Sequence, residues 1–174
     1  MTETNYADAL ILFGITGDLA RRKLFSALYD LTSAGRLDMP VIGVASRAWD
    51  DETLRRHARE SLEAVGRAID DEVFARLAVN LCYVSGNYRD PATYTEIAER
   101  AHSSTCAVSY LAIPPDLFND VVEGLGSVGL NHRGRLVLEK PFGRDAQTAA
   151  ELNDIVHHHF PEGRVYRICL LYTS

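Results

Sequence analysis

The sequence is poor in cysteine, in long apolar runs and in surplus positive charge, and each shortage removes a class of function. Its three cysteines, Cys82, Cys106 and Cys169, are odd in number and widely spaced. No two have metal-ligand or redox-motif spacing, so reduced thiols in a cytoplasmic protein are expected. Cys82 and Cys106 sit in or beside apolar runs, where a small free thiol is ordinarily packing. No apolar stretch approaches the roughly 20 residues that span a bilayer, so no membrane partner is expected. Lysine and arginine number 18 against 24 aspartates and glutamates, a net charge of −6, which argues against nucleic acid. The arginine-rich run Leu54 to Arg59 then reads as a solvated helix face. Residues 1–5 carry neither the basic nor the apolar part of a secretory signal. His157, His158 and His159 are successive helix residues that fan out around the axis, so no metal site is expected there.

What is present is an alternation of short apolar runs with helical periodicity. Ala9 to Phe13 is too short for a globular helix and reads as a buried strand. Gly14 and Gly17 punctuate a turn, and from Asp18 to Leu31 the apolar residues recur at helical spacing. Met39 to Ala45 predicts a second strand, followed by helices near Asp51 to Val65 and Asp70 to Val79. Leu81 to Ser85 is a third strand, and Asp90-Pro91 opens a helix to about Ala101. Ala107 to Ile113 is a fourth strand, halted by Pro114-Pro115. A helix from Asp116 to about Leu125, a strand Arg135 to Glu139, a helix Ala146 to His158 and a strand Arg164 to Ile168 complete the chain. Near-continuous apolar strands alternating with helices predict an α/β fold, a doubly wound and mostly parallel Rossmann-like sheet.

Ligands of such sheets bind beyond the carboxyl ends of the strands. That rule singles out four places. The first, Gly14 to Arg21, joins a strand to a helix N-terminus, where unpaired amides and a positive dipole end suit a phosphate. Thr16 offers a hydroxyl to a phosphate oxygen, and Asp18 is expected to bond backbone amides and not the ligand. The residue types leave a plain strand-to-helix turn equally open. The second, Ser46-Arg47, lacks the acid that holds the ribose of NAD. It offers a hydroxyl and a guanidinium instead, which suits the 2′-phosphate of NADP. The third, Ile113 to Asp116, is a proline-stiffened ledge or a plain strand exit. The fourth, Glu139-Lys140-Pro141-Phe142-Gly143, sets a charged pair at the mouth of a buried strand, either a ligand contact or a surface ion pair.

On these residues the chain resembles the N-terminal part of the glucose-6-phosphate dehydrogenase family, from about Ala9 to Ile168. The most specific elements are Gly14-Ile15-Thr16-Gly17-Asp18-Leu19-Ala20-Arg21-Arg22-Lys23, the strand into Ile113-Pro114-Pro115, and Glu139-Lys140-Pro141-Phe142-Gly143 with Asp145. The resemblance implies an NADP-binding domain of an enzyme that oxidises glucose 6-phosphate at C1 to the lactone, in the pentose phosphate pathway of carbohydrate metabolism. It implies that Gly14, Ile15, Thr16, Gly17, Asp18, Leu19, Ala20 and Arg21 line the pyrophosphate. Lys140 would contact both coenzyme and sugar, and Pro141 would position the nicotinamide. Alignment on Trp49 places Ser46 at the family's 2′-phosphate arginine and Arg47 one residue later. Asn87 and Tyr88 lie where relatives touch the adenosine half.

The family continues past the last strand as Arg-Ile-Asp-His-Tyr-Leu-Gly-Lys, whereas this sequence reads Arg167-Ile168-Cys169-Leu170-Leu171-Tyr172-Thr173-Ser174. The resemblance therefore implies a coenzyme domain at residues 1–168, an atypical tail at 169–174, and an absent second domain that carries the general-base histidine. Coenzyme binding without turnover is the resulting expectation. An exposed apolar face beside the last strand and a homo-oligomeric full-length enzyme are also expected. Two alternatives are another Rossmann-type sugar oxidoreductase with a Glu-Lys-Pro strand end, and a non-enzymatic nucleotide-binding module.

Overall fold

In the computed structural model, residues 6–102, 104–140 and 143–168 are described. Six strands, β1 (Ala9–Phe13), β2 (Val41–Ala45), β3 (Leu81–Ser85), β4 (Ala107–Leu111), β5 (Arg135–Glu139) and β6 (Val165–Ile168), form one sheet. Its order is β3-β2-β1-β4-β5-β6, and every pairing is parallel. Between them run helices α1 (Phe25–Ser33), α2 (Asp51–Ala64), α3 (Asp71–Asn80), α4 (Pro91–Arg100), α5 (Phe118–Ser127) and α6 (Ala146–His159). The doubly wound α/β expectation holds. The order reverses between β1 and β4, the switch point of such sheets.

Strand alternation divides the core into two layers. Ala9, Ile11 and Phe13 point into one, with Tyr94 and Ile97 of α4, Val121 and Leu125 of α5, and Val156 of α6. Leu12 points into the other, with Phe25 and Leu28 of α1, Leu54 and Leu62 of α2, and Leu77 of α3. Truncating one of these buried leucines to alanine costs about 2–5 kcal/mol. Aspartates start four of the helices by accepting from first-turn amides: Asp50 from Thr53, Asp70 from Glu72 and Val73, Asp90 from Ala92, and Asp145 from Thr148. Each satisfies donors that no helical carbonyl can reach.

The element ends differ from the sequence reading by at most two residues, for local reasons. β2 begins after Pro40, whose carbonyl accepts from Leu10 N at 2.9 Å. β4 ends at Leu111, and the two prolines lead into a 3₁₀ turn, Pro115–Leu117, before α5 begins. The first helix contains a π-turn, Ala20–Leu24, closed by Phe25 N on Ala20 O, before α1 proper.

The outer edge of β3 is occupied by side chains of α2. Asp51 Oδ1 accepts from Tyr83 N at 2.7 Å, and the Arg55 guanidinium donates to Leu81 O from Nε at 3.2 Å and Nη2 at 3.0 Å. Arg100 Nη1 donates to the other oxygen of Asp51 at 3.0 Å. Filling the ladder positions this way blocks edge-to-edge pairing. At the opposite side of the sheet, β5 and β6 turn Val137, Tyr166 and Ile168 away from the α6 layer. Tyr166 is 48% exposed there, and Val137 and Ile168 are part-buried.

Candidate functional site

Strand register sets the site. Val84, Val44, Phe13, Leu111, Leu138 and Arg167 stand in one row across the sheet. Each of the four places begins within two residues beyond that row, so sequence segments more than 100 residues apart open onto one ledge. Two open cavities lie beside the loops that follow β2 and β3, one of about 410 Å³ lined by Trp49, Tyr83 and Ser85 and one of about 370 Å³ lined by Tyr88, Tyr94 and Asp120.

The turn after β1 is built around Gly14. Its φ of +84° suits only glycine, and a Cβ there would stand 2.1 Å from Ala112 O. Gly14 N donates to Val44 O, Gly17 N to Gly14 O and Ala112 N to Phe13 O, at 2.9, 2.9 and 3.0 Å. These bonds tie the turn to both neighbouring strands. The amides of Thr16, Asp18, Leu19 and Ala20 have no backbone acceptor among the described residues. They form the unpaired first turn of a helix that runs on to Ser33, the arrangement that receives a phosphate. Ile15 and Ala20 are fully buried, so only their main chain is available to a ligand, while Gly17, Asp18 and Arg21 are exposed. Asp18 departs from expectation: its carboxylate pairs with Arg22 Nε at 3.1 Å, one helical turn on, instead of bonding backbone amides.

Beneath the turn lies Tyr88. Its hydroxyl donates to Val44 O at 3.2 Å and its ring meets Phe13 edge-on at 5.8 Å. Burial raises its ionisation to about 12, a backbone hydrogen bond from Gly14 opposing. Tyr88 thus supports the turn from below. Asn87 is exposed, and its Oδ1 accepts from Arg89 N at 3.0 Å in the turn that starts α4.

After β2, the loop is held by one carbonyl. Arg47 O accepts from Tyr83 Oη at 2.8 Å, Ser85 Oγ at 2.9 Å and Trp49 N at 2.8 Å. The main chain is fixed while the side chains of Ser46 and Arg47 remain exposed. The Arg47 guanidinium lies over the Trp49 ring, 5.6 Å from its centroid.

The mouths of β4 and β5 are tied together twice. Tyr110 Oη donates to Glu139 Oε1, and Arg144 pairs with Asp116. Burial and the adjacent Glu139 carboxylate both push the Tyr110 phenol up, so it stays protonated as the donor. Lys140 is exposed, with its main-chain N donating to Ile168 O at 3.2 Å. Pro141 and Phe142 lie outside the described residues, as do residues 169–174.

These placements match one protein family. A family model described as "Glucose-6-phosphate dehydrogenase, NAD binding domain" covers residues 11–170. The chain belongs to that family. Its coenzyme is accordingly a nicotinamide dinucleotide. Glucose-6-phosphate 1-dehydrogenase 1 of Mycobacterium tuberculosis is 42% identical over 164 residues, 93% of this chain and 34% of the relative. Glucose-6-phosphate 1-dehydrogenase of Dickeya dadantii is 33% identical over 173 residues, 97% of this chain and 35% of the relative. The crystal structure of glucose-6-phosphate 1-dehydrogenase from Mycobacterium avium superimposes with a TM-score of 0.88 at 42% identity, covering 93% of this chain and 35% of that one. A glucose-6-phosphate dehydrogenase in complex with its substrate glucose-6-phosphate gives 0.82 at 30% identity, covering 97% of this chain and 37% of that one. The chain thus spans about a third of the length of these relatives.

The sequence reading missed Gly43, Tyr83, Ser85, Tyr110 and Arg144, which shape the ledge from below or tie its parts together. Gly43, inside an apolar strand, carried a legible signal of close approach. The cross-chain partners carried none, because hydrogen bonds between distant segments leave no local pattern. Burial, and then the nearby Asp51 carboxylate, holds the Cys82 thiol above its ordinary ionisation. Of the consecutive histidines, His157 Nε2 lies 2.7 Å from Glu162, while the His158 and His159 rings meet edge-on at 5.1 Å. No described helix is long and apolar enough to cross a membrane.

Proposed function

We propose that this chain is the coenzyme-binding part of an NADP-dependent glucose-6-phosphate 1-dehydrogenase, a cytoplasmic enzyme of glucose metabolism. The observation that carries the reading is the Gly14 turn. It is pressed against Ala112 so closely that no side chain fits, and it presents the open amides of Thr16, Asp18, Leu19 and Ala20 beside the β1–β4 switch point. Those amides would hold the pyrophosphate, with the helix dipole adding to their attraction. Ser46 and Arg47, exposed on a loop whose main chain is fixed, would hold the 2′-phosphate and favour NADP over NAD. Asn87 would bound the adenosine half, with Tyr88 bracing the turn. Lys140 would reach coenzyme and sugar phosphate, and Pro141 would set the nicotinamide.

When bound, the nicotinamide supplies the hydride acceptor. The residues of the ledge supply orientation and charge. Oxidising a sugar hydroxyl also needs a base within about 2.6–3.2 Å of its proton. In this reading the base belongs to the remaining two thirds of the relatives' length, and the 174-residue chain binds coenzyme without turnover. Trp49, the only tryptophan, lies under Arg47 and reports binding directly. Titrating the chain with NADP should change Trp49 emission and shift the amide resonances of Gly14, Thr16 and Gly17. Unmoved amides in a folded sample would defeat the reading. NADPH formation from glucose 6-phosphate by the purified chain would defeat the claim of binding without turnover.

A further inference from the structure

His57, on α2, is a polar side chain that the proposed function leaves unused. Its ring is enclosed by aromatic faces: Phe25 meets it edge-on at 5.7 Å, and Trp49 lies across it at 4.8 Å. Trp49 in turn carries the Arg47 guanidinium on its ring. The imidazole and the Arg47 guanidinium therefore share the Trp49 ring. Its Nε2 is buried and has no hydrogen-bond partner among the described residues. Its main-chain carbonyl is fixed by Ser61 Oγ at 2.7 Å, so the ring is mounted on a rigid part of α2.

The charged groups that bear on the ring come from three elements. Arg21 acts on it electrostatically from the π-turn, Arg47 from the loop after β2, and Glu60 from its own helix. Burial is the largest influence and holds the imidazole below its ordinary ionisation; Glu60 opposes this, and the two arginines add to it. His57 is thus held below its ordinary ionisation, within the electrostatic influence of Arg47 at the place read as the 2′-phosphate site and of Arg21 in the neighbouring pyrophosphate turn.

We propose that His57 couples proton binding to recognition of the coenzyme's 2′-phosphate, becoming an added cation that shares the Trp49 ring with Arg47 when that phosphate is seated. The inference rests on the reading of Ser46-Arg47 as the 2′-phosphate site. A phosphate dianion seated on Arg47 offsets the part of the proton's exclusion that comes from the arginines, burial remaining, so the part-buried ring binds a proton more readily. By reciprocity, the factor by which phosphate raises proton affinity is the factor by which the proton raises phosphate affinity. Discrimination for the phosphorylated over the unphosphorylated nucleotide therefore sharpens as pH falls through the imidazole's titration. His57 acts here as a positioning charge and touches no reacting atom.

The test follows the His57 ring resonances of the full 174-residue chain from pH 5 to 8, assigned by their loss in His57→Gln. It is run alone, with saturating 2′,5′-ADP and with saturating 5′-AMP. The expected result is a midpoint raised by at least about half a unit with 2′,5′-ADP, which corresponds to roughly a threefold linkage, and an unchanged midpoint with 5′-AMP. In parallel, Trp49 emission gives the affinity for 2′,5′-ADP in wild type and in His57→Gln. The ligand's own phosphate titrates near pH 6 in both proteins, so the ratio of the two affinities isolates His57. That ratio should rise in favour of wild type as the pH falls from 8 to 5, approaching about threefold only below the free imidazole's own midpoint. A His57 midpoint unmoved by bound 2′,5′-ADP, or affinity profiles that superimpose, overturns the inference while leaving the phosphate site standing. Failure of 2′,5′-ADP to bind better than 5′-AMP at any pH overturns the phosphate-site reading, and the inference with it.

Discussion

Ile15 folds back over β2 into the space that a side chain on Gly43 would need. A Cβ at Gly43 would stand 2.9 Å from both Cγ atoms of Ile15, and Ile15 is fully buried with no room to retreat. The residue that turns the main chain toward the ligand is thereby anchored in the core by a gap left in the neighbouring strand.

Gly43→Ala should accordingly destabilise the chain by about 1–3 kcal/mol, the usual cost of overpacking. Urea denaturation checks it. The double variant Gly43→Ala/Ile15→Ala should lose less than the sum of the two single variants, because each relieves the clash made by the other. Strict additivity would mean that the two side chains do not share this space.

Gly14→Ala combines two faults, a positive φ and a Cβ pressed onto Ala112 O. The backbone term alone is about 1–2 kcal/mol. Displacing the carbonyl should raise the loss beyond that of Gly43→Ala. Since relief requires the turn to lift away from β4, dinucleotide titration should also fail at protein concentrations where the wild type saturates. A folded Gly14→Ala chain that still binds with native affinity would show that the turn's amides are not the binding element.

The contrast between these glycines shows what the sequence conveys. Strand order, helix spans and the four strand-end places follow from periodicity and from Gly and Pro punctuation, because those signals are local. Gly14 was legible because a strand, a glycine and a helix start stand in sequence. Tyr83 and Ser85 gripping Arg47 O, Tyr110 gripping Glu139 and Arg144 pairing with Asp116 were not. Each joins segments about 28 to 38 residues apart, and their pairing exists only once the parallel register has been set. Asp18 was misread for a related reason. An aspartate at a helix start has both amides and an i+4 arginine in reach, and residue type does not choose between them.

Arg47→Ala should separate coenzyme selectivity from stability. The loop is held through Arg47's carbonyl, which the substitution retains, so the denaturation midpoint should stay within error of wild type. Charge-assisted hydrogen bonds to a phosphate contribute about 1.5–3 kcal/mol. Affinity for NADP should therefore fall about ten- to a hundredfold, while affinity for NAD changes little. Calorimetric titration with both coenzymes checks it, and equal losses for the two would move the 2′-phosphate contact away from Arg47.

Tyr110→Phe removes the donor that the half-buried Glu139 carboxylate depends on. Leaving such an acceptor unsatisfied costs about 1–3 kcal/mol. The variant should unfold at lower urea, and Glu139→Gln placed on top of it should cost less than it does in the wild-type background. A cycle with no coupling would show that the two groups do not bond in solution. Because Lys140 follows Glu139 directly, the same variant should broaden or shift the Lys140 amide resonance.

At the other end of the sheet, Asp8 fastens β1 to the loop before β4. Its carboxylate accepts from Ser104 Oγ, from Thr105 N at 2.7 Å and Oγ1 at 2.8 Å, and from Cys106 N at 3.0 Å. Burial pushes its ionisation upward, but those four donors outweigh it and lower the pKa from 3.8 to about 2. With the folded value below the unfolded one, the carboxylate's contribution is complete above pH 3.8 and is lost as the pH falls from there toward 2. Asp8→Asn should thus be less stable than wild type by a constant margin from pH 7 to 5, and the margin should shrink between pH 4 and 2. Urea midpoints at four or five pH values check it. A margin that holds unchanged down to pH 2.5 would mean that the donors favour the neutral side chain as much as the charged one, and that the anchor is one of shape alone.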